Sequence, residues 1–227
     1  MQKEIIIQPI ITAFRNITQS PLQYLRFNLL FFAIIFLINY LAAVISMMIT
    51  YDRDLQEIIL VIFKIPVTAY FIGGFTYFYL SLVRGVTVRT AKIYRGYRWY
   101  YQILVYELLV YFLYLLLVRP IVDFFDFPLV IQIRLIFGII AYLYLFIRAS
   151  FFLAIVVDTR VSFMKTLAES FVLTRDSFFE TGLFIALGLA VIMSGILAAG
   201  IGIIFTMAVA TQGYVLLYEI LRKKRLS

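Results

Sequence analysis

An all-α integral membrane bundle of six transmembrane helices is the fold this sequence predicts, and three observations predict it. Of its 227 residues, 64% are hydrophobic and 14% charged, whereas an ordinary soluble domain is roughly 45–50% apolar and about 25% charged. The apolar residues gather in runs long enough to cross a bilayer, which takes about 20 residues per helix. The charged residues gather between those runs, in connections that alternate between basic-rich and basic-poor, the asymmetry that sets sidedness in membrane proteins.

The elements follow in order. Residues 1–28 read as an interfacial segment. Ile6, Ile7, Ile10, Ile11, Phe14 and Ile17 recur at helical spacing, and a surface helix is expected from about Pro9 to Thr18, with Pro9 in its first turn and its end before Pro21. The first span is Leu29–Ile49. The second, Ile58–Val83, is interrupted only by Lys64 and Pro66. Lys64 is expected to snorkel outward. The third, Tyr101–Val118, contains Glu107, and the fourth, Leu129–Val157, contains Arg134 and Arg148. The stretch Gly182–Leu221 has no charge before Glu219. It is too long for one crossing, so a tight turn near Ala199–Gly202 divides it into spans five and six. Residues 158–181 form an amphipathic connector whose helix carries Phe163, Leu167, Phe171 and Thr174 on one stripe. Gly73 and Gly74, and the run Gly182, Ala186, Ala190, Ser194, Ala198 and Gly202, offer small faces for close helix packing. The whole chain reads as one polytopic domain, and its first apolar run as an uncleaved anchor rather than a secretory signal.

Sidedness follows from the charges. Lys3, Arg15 and Arg26 precede span one, while Arg53 stands alone among Asp52, Asp54 and Glu57 after it. The next connection, within Leu80–Tyr101, holds Arg84, Arg89, Lys92, Arg95 and Arg98 and no acid. The following one has Arg119 with Asp123 and Asp126; then come Arg148, Arg160, Lys165 and Arg175; the tail carries Arg222, Lys223, Lys224 and Arg225. Both termini are therefore expected in the cytoplasm, and the location expected is a bacterial inner membrane.

The Leu80–Tyr101 stretch interleaves its basic residues with Tyr94, Tyr97, Trp99, Tyr100 and Tyr101, and the net charge is +8. Such a pattern suits nucleic acid or a membrane surface. Its register with the spans decides for the membrane surface, as a loop at the headgroup level. Arg89, Lys92, Arg95 and Arg98, with Arg222, Lys223, Lys224 and Arg225, are the expected contacts to anionic lipid headgroups; no nucleic-acid partner is expected.

The chain has no cysteine and no histidine. Disulfides, thiolate nucleophiles and the commonest metal ligand are thereby excluded. No phosphate-cradling glycine loop, nucleophile elbow or zinc signature occurs. No catalytic residue, metal or cofactor is expected, and the protein reads as a non-enzyme.

Two stretches carry a family likeness. One is a span ending in an Arg-Gly pair before an aromatic loop, LSLVRG then IYRGYRWYY. The other runs from a span through a short helix into a Leu-Thr-Arg segment, FFLAIVVDTRVSFMKTLAESFVLTRDSFF; the last two spans then end in VLLYEIL. On these the chain resembles bacterial polytopic membrane proteins of unassigned function, similar to the membrane domain attached to some glycerophosphodiester phosphodiesterases. In that group the position of Asp176 is often glycine. The catalytic domain there is a separate soluble one, and these 227 residues contain none. The resemblance thus implies a membrane architecture and no hydrolase activity.

Ionisable groups inside a span are costly and mark candidate sites. Glu107 lies about two turns into span three, roughly 10 Å from its start. Arg148 and Arg84 close spans four and two, so Glu107, Arg148 and Arg84 form a candidate intramembrane polar site. It reads either as a structural ion pair with tyrosine partners or as a proton-coupled or anionic-substrate site. The first function expected is an accessory or assembly component, or a factor in envelope or lipid homeostasis, with a possible protein partner. The alternative is a transporter or channel for a small or lipidic solute. A polar, water-accessible cavity reaching Glu107 discriminates in favour of the alternative.

Overall fold

The computed structural model describes residues 2–86, 90–117, 129–197 and 202–226. They form α1 (Gln2–Gln19), α2 (Pro21–Ile49), α3 (Arg53–Val83), a 3-10 helix (Thr90–Arg98), α4 (Tyr100–Leu117), α5 (Leu129–Arg148), α6 (Phe152–Thr159), α7 (Phe163–Leu173), α8 (Phe178–Leu197) and α9 (Gly202–Leu226). No strand occurs among the described residues. Six helical stretches are long and apolar enough to cross a membrane, and within each only 11–39% of the residues are buried by the protein itself. That leaves apolar surface far beyond what a water-soluble monomer exposes, so lipid is the solvent these helices require.

Several boundaries differ from the sequence expectation. Helix α1 begins at Gln2 and holds Pro9 in its interior, where a first-turn position was expected. Ile6, Pro9, Ala13 and Ile17 are all buried, and α1 packs mainly against α9, with the Phe14 ring edge-on to Phe205 at 5.8 Å. Burial of that stripe outweighs the missing proline N–H. Helix α2 starts at Pro21 rather than Leu29, with proline in the first turn, where its lost donor has no intrahelical partner anyway. The expected turn between spans five and six lies largely outside the described residues; α8 ends at Leu197 and α9 resumes at Gly202.

Span four is not one helix. α5 stops at Arg148 and α6 begins at Phe152. The break is stabilised from α7 and its C-cap, where Thr166, Ser170 and Thr174 are fully buried; of the expected stripe Thr174 is among them, and Phe163, Leu167 and Phe171 pack half-buried against the core. Ser170 Oγ donates to the Arg148 carbonyl (2.9 Å) and accepts from the Phe151 N–H (3.2 Å). One hydroxyl thus satisfies the end of one helix and the start of the next, where orphan backbone groups would otherwise be buried.

The packed core lies at one end of the bundle, the end bearing Arg84, Arg148 and the basic tail. Phe27 of α2 stacks on Phe78 of α3 at 3.5 Å, and Phe31 on Phe75 at 4.0 Å. Asn28 Nδ2 donates to Tyr79 Oη at 2.8 Å beside them. The short α6 adds Phe152, Ala154, Ile155, Val156 and Val157, all buried.

The basic, aromatic stretch after α3 also departs from expectation. Helix α3 ends in a left-handed Gly85 (φ 72°), with Val86 N bonded to Ser81 O and Gly85 N to Leu82 O, the pairing of a Schellman stop. The chain then folds back. The 3-10 helix lies along α3, and the Tyr70 hydroxyl donates to the Tyr94 carbonyl at 2.9 Å. Gly96 meets α3 backbone to backbone at Tyr70 and Gly74, well inside the end of the helix at Val83 and so about 14–20 Å along its axis. Trp99 is 3% exposed and stacks on Tyr77. A hanging headgroup-level loop was expected; the glycines let a docked segment form instead. Of the expected lipid contacts here, Arg95 and Arg98 are exposed, Arg89 lies outside the described residues, and so does the side chain of Lys92.

The small faces divide likewise. Gly73 and Gly74 receive the 3-10 helix. In α8, however, Ala186, Ala190 and Ser194 are exposed. The close approach of α8 to α9 uses Gly195, where a Cβ would stand 2.1 Å from Thr206 Oγ1 and 2.8 Å from the Gly202 backbone.

Candidate functional site

Glu107, Arg148 and Arg84 do not assemble into one site. Each is held by different partners, because α3, α4 and α5 present them on different faces.

Arg84 sits at the end of α3, where its guanidinium pairs with Asp158 of α6: Nη1 to Oδ1 at 2.7 Å and Nη2 to Oδ2 at 2.9 Å. Its Nε reaches Glu219 Oε1 of α9 at 2.8 Å. Arg222 of α9 also bonds Asp158, and the Tyr218 hydroxyl donates to Asp158 Oδ2 at 2.9 Å. The Asp158 carboxylate is 7% exposed while both arginines remain more than a third exposed. The bond to Asp158 holds the Arg84 guanidinium above its ordinary range. This knot ties α3, α6 and α9 together. It also removes Arg222 from the expected headgroup contacts, leaving Lys223, Lys224 and Arg225 on the exposed tail. Asp158, Tyr218 and Glu219 were not singled out from the sequence. Their signal was available: each stands in a stretch that carries the family likeness, VVDTR or VLLYEIL.

Arg148 ends α5 with its Cζ 5.1 Å from the Phe171 ring centroid and 5.9 Å from that of Tyr144. A cation over aromatic faces needs no carboxylate.

Glu107 has a different neighbourhood. Thr68 Oγ1 of α3 lies 2.9 Å from Glu107 Oε2 and 2.9 Å from the Lys64 carbonyl, so its one proton serves one acceptor at a time. Lys64, one turn further along α3, lines the same cavity as Glu107. The cavity measures about 620 Å³ and lies between α3, α4, α5, α6, α8 and α9. Tyr106, Tyr111, Tyr114, Tyr142 and Tyr214 line it. The hydroxyls of Tyr214 and Tyr106 donate to the carbonyls of Ser150 (2.5 Å) and Ala149 (3.4 Å), in the break between α5 and α6. Those two residues therefore offer the cavity ring surface rather than free hydroxyls. A second space of about 260 Å³ adjoins it across Tyr106, Val110, Tyr142 and Phe146. The combined site is an apolar, aromatic chamber with one acid and one base. Its volume lies within the roughly 300–1,000 Å³ range of small-molecule sites. The side chain of Arg134 lies outside the described residues.

No family model, no curated protein and no solved structure matches this chain. What the structure shows is a helical protein with six candidate membrane spans.

Proposed function

We propose that this is a non-enzymatic membrane protein that binds and carries an amphiphilic solute of the bilayer in the Glu107 chamber. The observation that carries this reading is the cavity itself, which reaches Glu107 at the depth of the spans. It is lined by apolar and aromatic surface, where a polar, water-accessible space was expected of a transporter, so the solute it suits is amphiphilic rather than small and polar. An accessory role would need only a filled bundle. The lining sets the solute's character, since tyrosine, leucine and isoleucine surface suits an apolar body and the Lys64, Thr68 and Glu107 end suits a polar handle.

A test is to fill the space without touching a charge. Val110 borders both the larger and the adjoining space. Protein purified in mild detergent should retain about one amphiphile per chain, read by native mass spectrometry. Val110→Trp should lose it while staying monodisperse. Equal retention in the two proteins would remove the basis for a carrier.

The membrane in question is, in this proposal, a bacterial inner membrane with both termini in the cytoplasm. Arg95, Arg98, Lys223, Lys224 and Arg225 then meet anionic headgroups, each contributing about 1 kcal/mol near the surface. Reporters fused to the two ends should both read as cytoplasmic, and opposite readings would reverse the assignment.

A further inference from the structure

We infer that the solute taken by the Glu107 chamber is a lipophilic cation, and that Lys64 acts as its tethered competitor. The inference rests on the carrier reading above and names the substrate class for the same site.

Glu107 and Lys64 are the two charged residues lining the cavity, and they differ in how far each can move. Glu107 stands ten residues from Leu117, the far end of α4, about 15 Å along the axis. Its short side chain cannot reach either surface. Lys64 stands six residues inside the span that begins at Ile58, about 9 Å along the axis. Its long stem allows the ammonium to snorkel out to that surface. No ion pair within 4.0 Å joins the two among the described residues; Glu107 is held instead by the Thr68 hydroxyl. With Lys64 turned outward, the cavity keeps one carboxyl group and no base, and a cation is the ligand that would hold that group in its charged form.

The walls favour the same choice. Aromatic faces attract cations through their quadrupole and attract anions poorly. Five tyrosines and Phe146 line the space, and Tyr106 and Tyr214 have their hydroxyls turned to backbone carbonyls. An anion would have Lys64 as its one cationic host and would meet Glu107 at the inner side. A cation has Glu107 and the rings, and it displaces only an ammonium that has water to return to. Entry of the solute therefore releases Lys64 outward, and its return to Glu107 expels the solute.

The experiment uses two probes of matched size and shape but opposite charge, tetraphenylphosphonium and tetraphenylborate, each titrated against the purified full chain in nanodiscs. The phosphonium should bind at least about tenfold more tightly than the borate. Glu107→Gln, which keeps an oxygen for the Thr68 hydroxyl, should weaken the phosphonium about tenfold or more and leave the borate unweakened. Lys64→Gln should tighten the phosphonium several-fold. Residual borate binding by Glu107→Gln shows that the chamber is still formed. If the borate binds more tightly in the unmodified protein, the cation assignment is overturned while the chamber's carrier role stands. If neither probe binds, both fall. A Lys64→Gln protein that binds the phosphonium more weakly overturns the competitor role.

Discussion

Replacing Gly96 by alanine should loosen the basic end of the bundle more than any other single methyl group. An added Cβ would stand 1.7 Å from the Tyr70 carbonyl oxygen, 2.9 Å from its carbon and 3.1 Å from Gly74 N. These are backbone atoms of α3, so no rotamer change relieves the overlap. Overpacking costs about 1–3 kcal/mol when side chains can shift; a backbone clash belongs at or beyond the upper end of that range. The 3-10 helix must then lift from α3, and Trp99, which follows it, must leave its place on Tyr77. Trp99 is the chain's only tryptophan, so its fluorescence reports the event directly. The expected result is a red-shifted, weakened emission and a lower thermal midpoint in detergent. Gly85→Ala is the comparison. That position has φ 72° but open space around a Cβ, so only the left-handed backbone penalty of about 1–2 kcal/mol applies. Unchanged emission and midpoint in Gly96→Ala would refute the docked arrangement.

The second large effect is expected at Asp158. This carboxylate neutralises Arg84 and Arg222 and accepts the Tyr218 hydroxyl. Asp158→Asn keeps the shape and removes the charge, leaving Arg84 and Arg222 with Glu219 as the remaining acid at the junction of α3, α6 and α9. Breaking a buried ion pair from one side costs about 3–5 kcal/mol. Both arginines are more than a third exposed, and water screens them, which lowers the expectation to about 2 kcal/mol. Thermal unfolding at low and high salt measures it. The unmodified protein should lose stability as salt rises, and Asp158→Asn should lose little further. Arg84→Met combined with Asp158→Leu should recover part of the loss, because it removes one charge of each sign and leaves Glu219 and Arg222 as the opposite charges at the junction. A full-size loss in that double variant would mean that shape, rather than charge, holds the junction.

The same residues show why some features were legible and others were not. The spans were legible because hydrocarbon demands a length of apolar chain that no local detail can conceal. Gly85 and the Arg-Gly pair were visible, yet their partner Asp158 lies 74 residues from Arg84, and no spacing rule joins the two. The hydroxyl stripe Thr166, Ser170 and Thr174 sits at i, i+4 and i+8 and could have been recognised as a buried face. The stripe expected from the sequence shares Thr174 with it and is otherwise apolar, because apolar residues are the usual core formers. Here the buried need was for hydroxyl groups, to satisfy a helix break that the sequence displays as one continuous apolar run. Lys64 is expected to snorkel outward for a sound reason, since an ammonium prefers water. What the linear order hides is that Glu107, 43 residues away, shares its cavity.

Sequence alone determined that this chain needs a bilayer, where its six spans lie and which connections carry the positive charge. These are one-dimensional properties, set by transfer free energy summed along the chain. Only the tertiary structure decided that Arg84 belongs to Asp158 and not to Glu107, that the basic aromatic stretch folds back onto α3, and that tyrosines from several helices line an open cavity beside Glu107. Those outcomes depend on which helix faces meet, and facing is settled by packing among elements far apart in the chain.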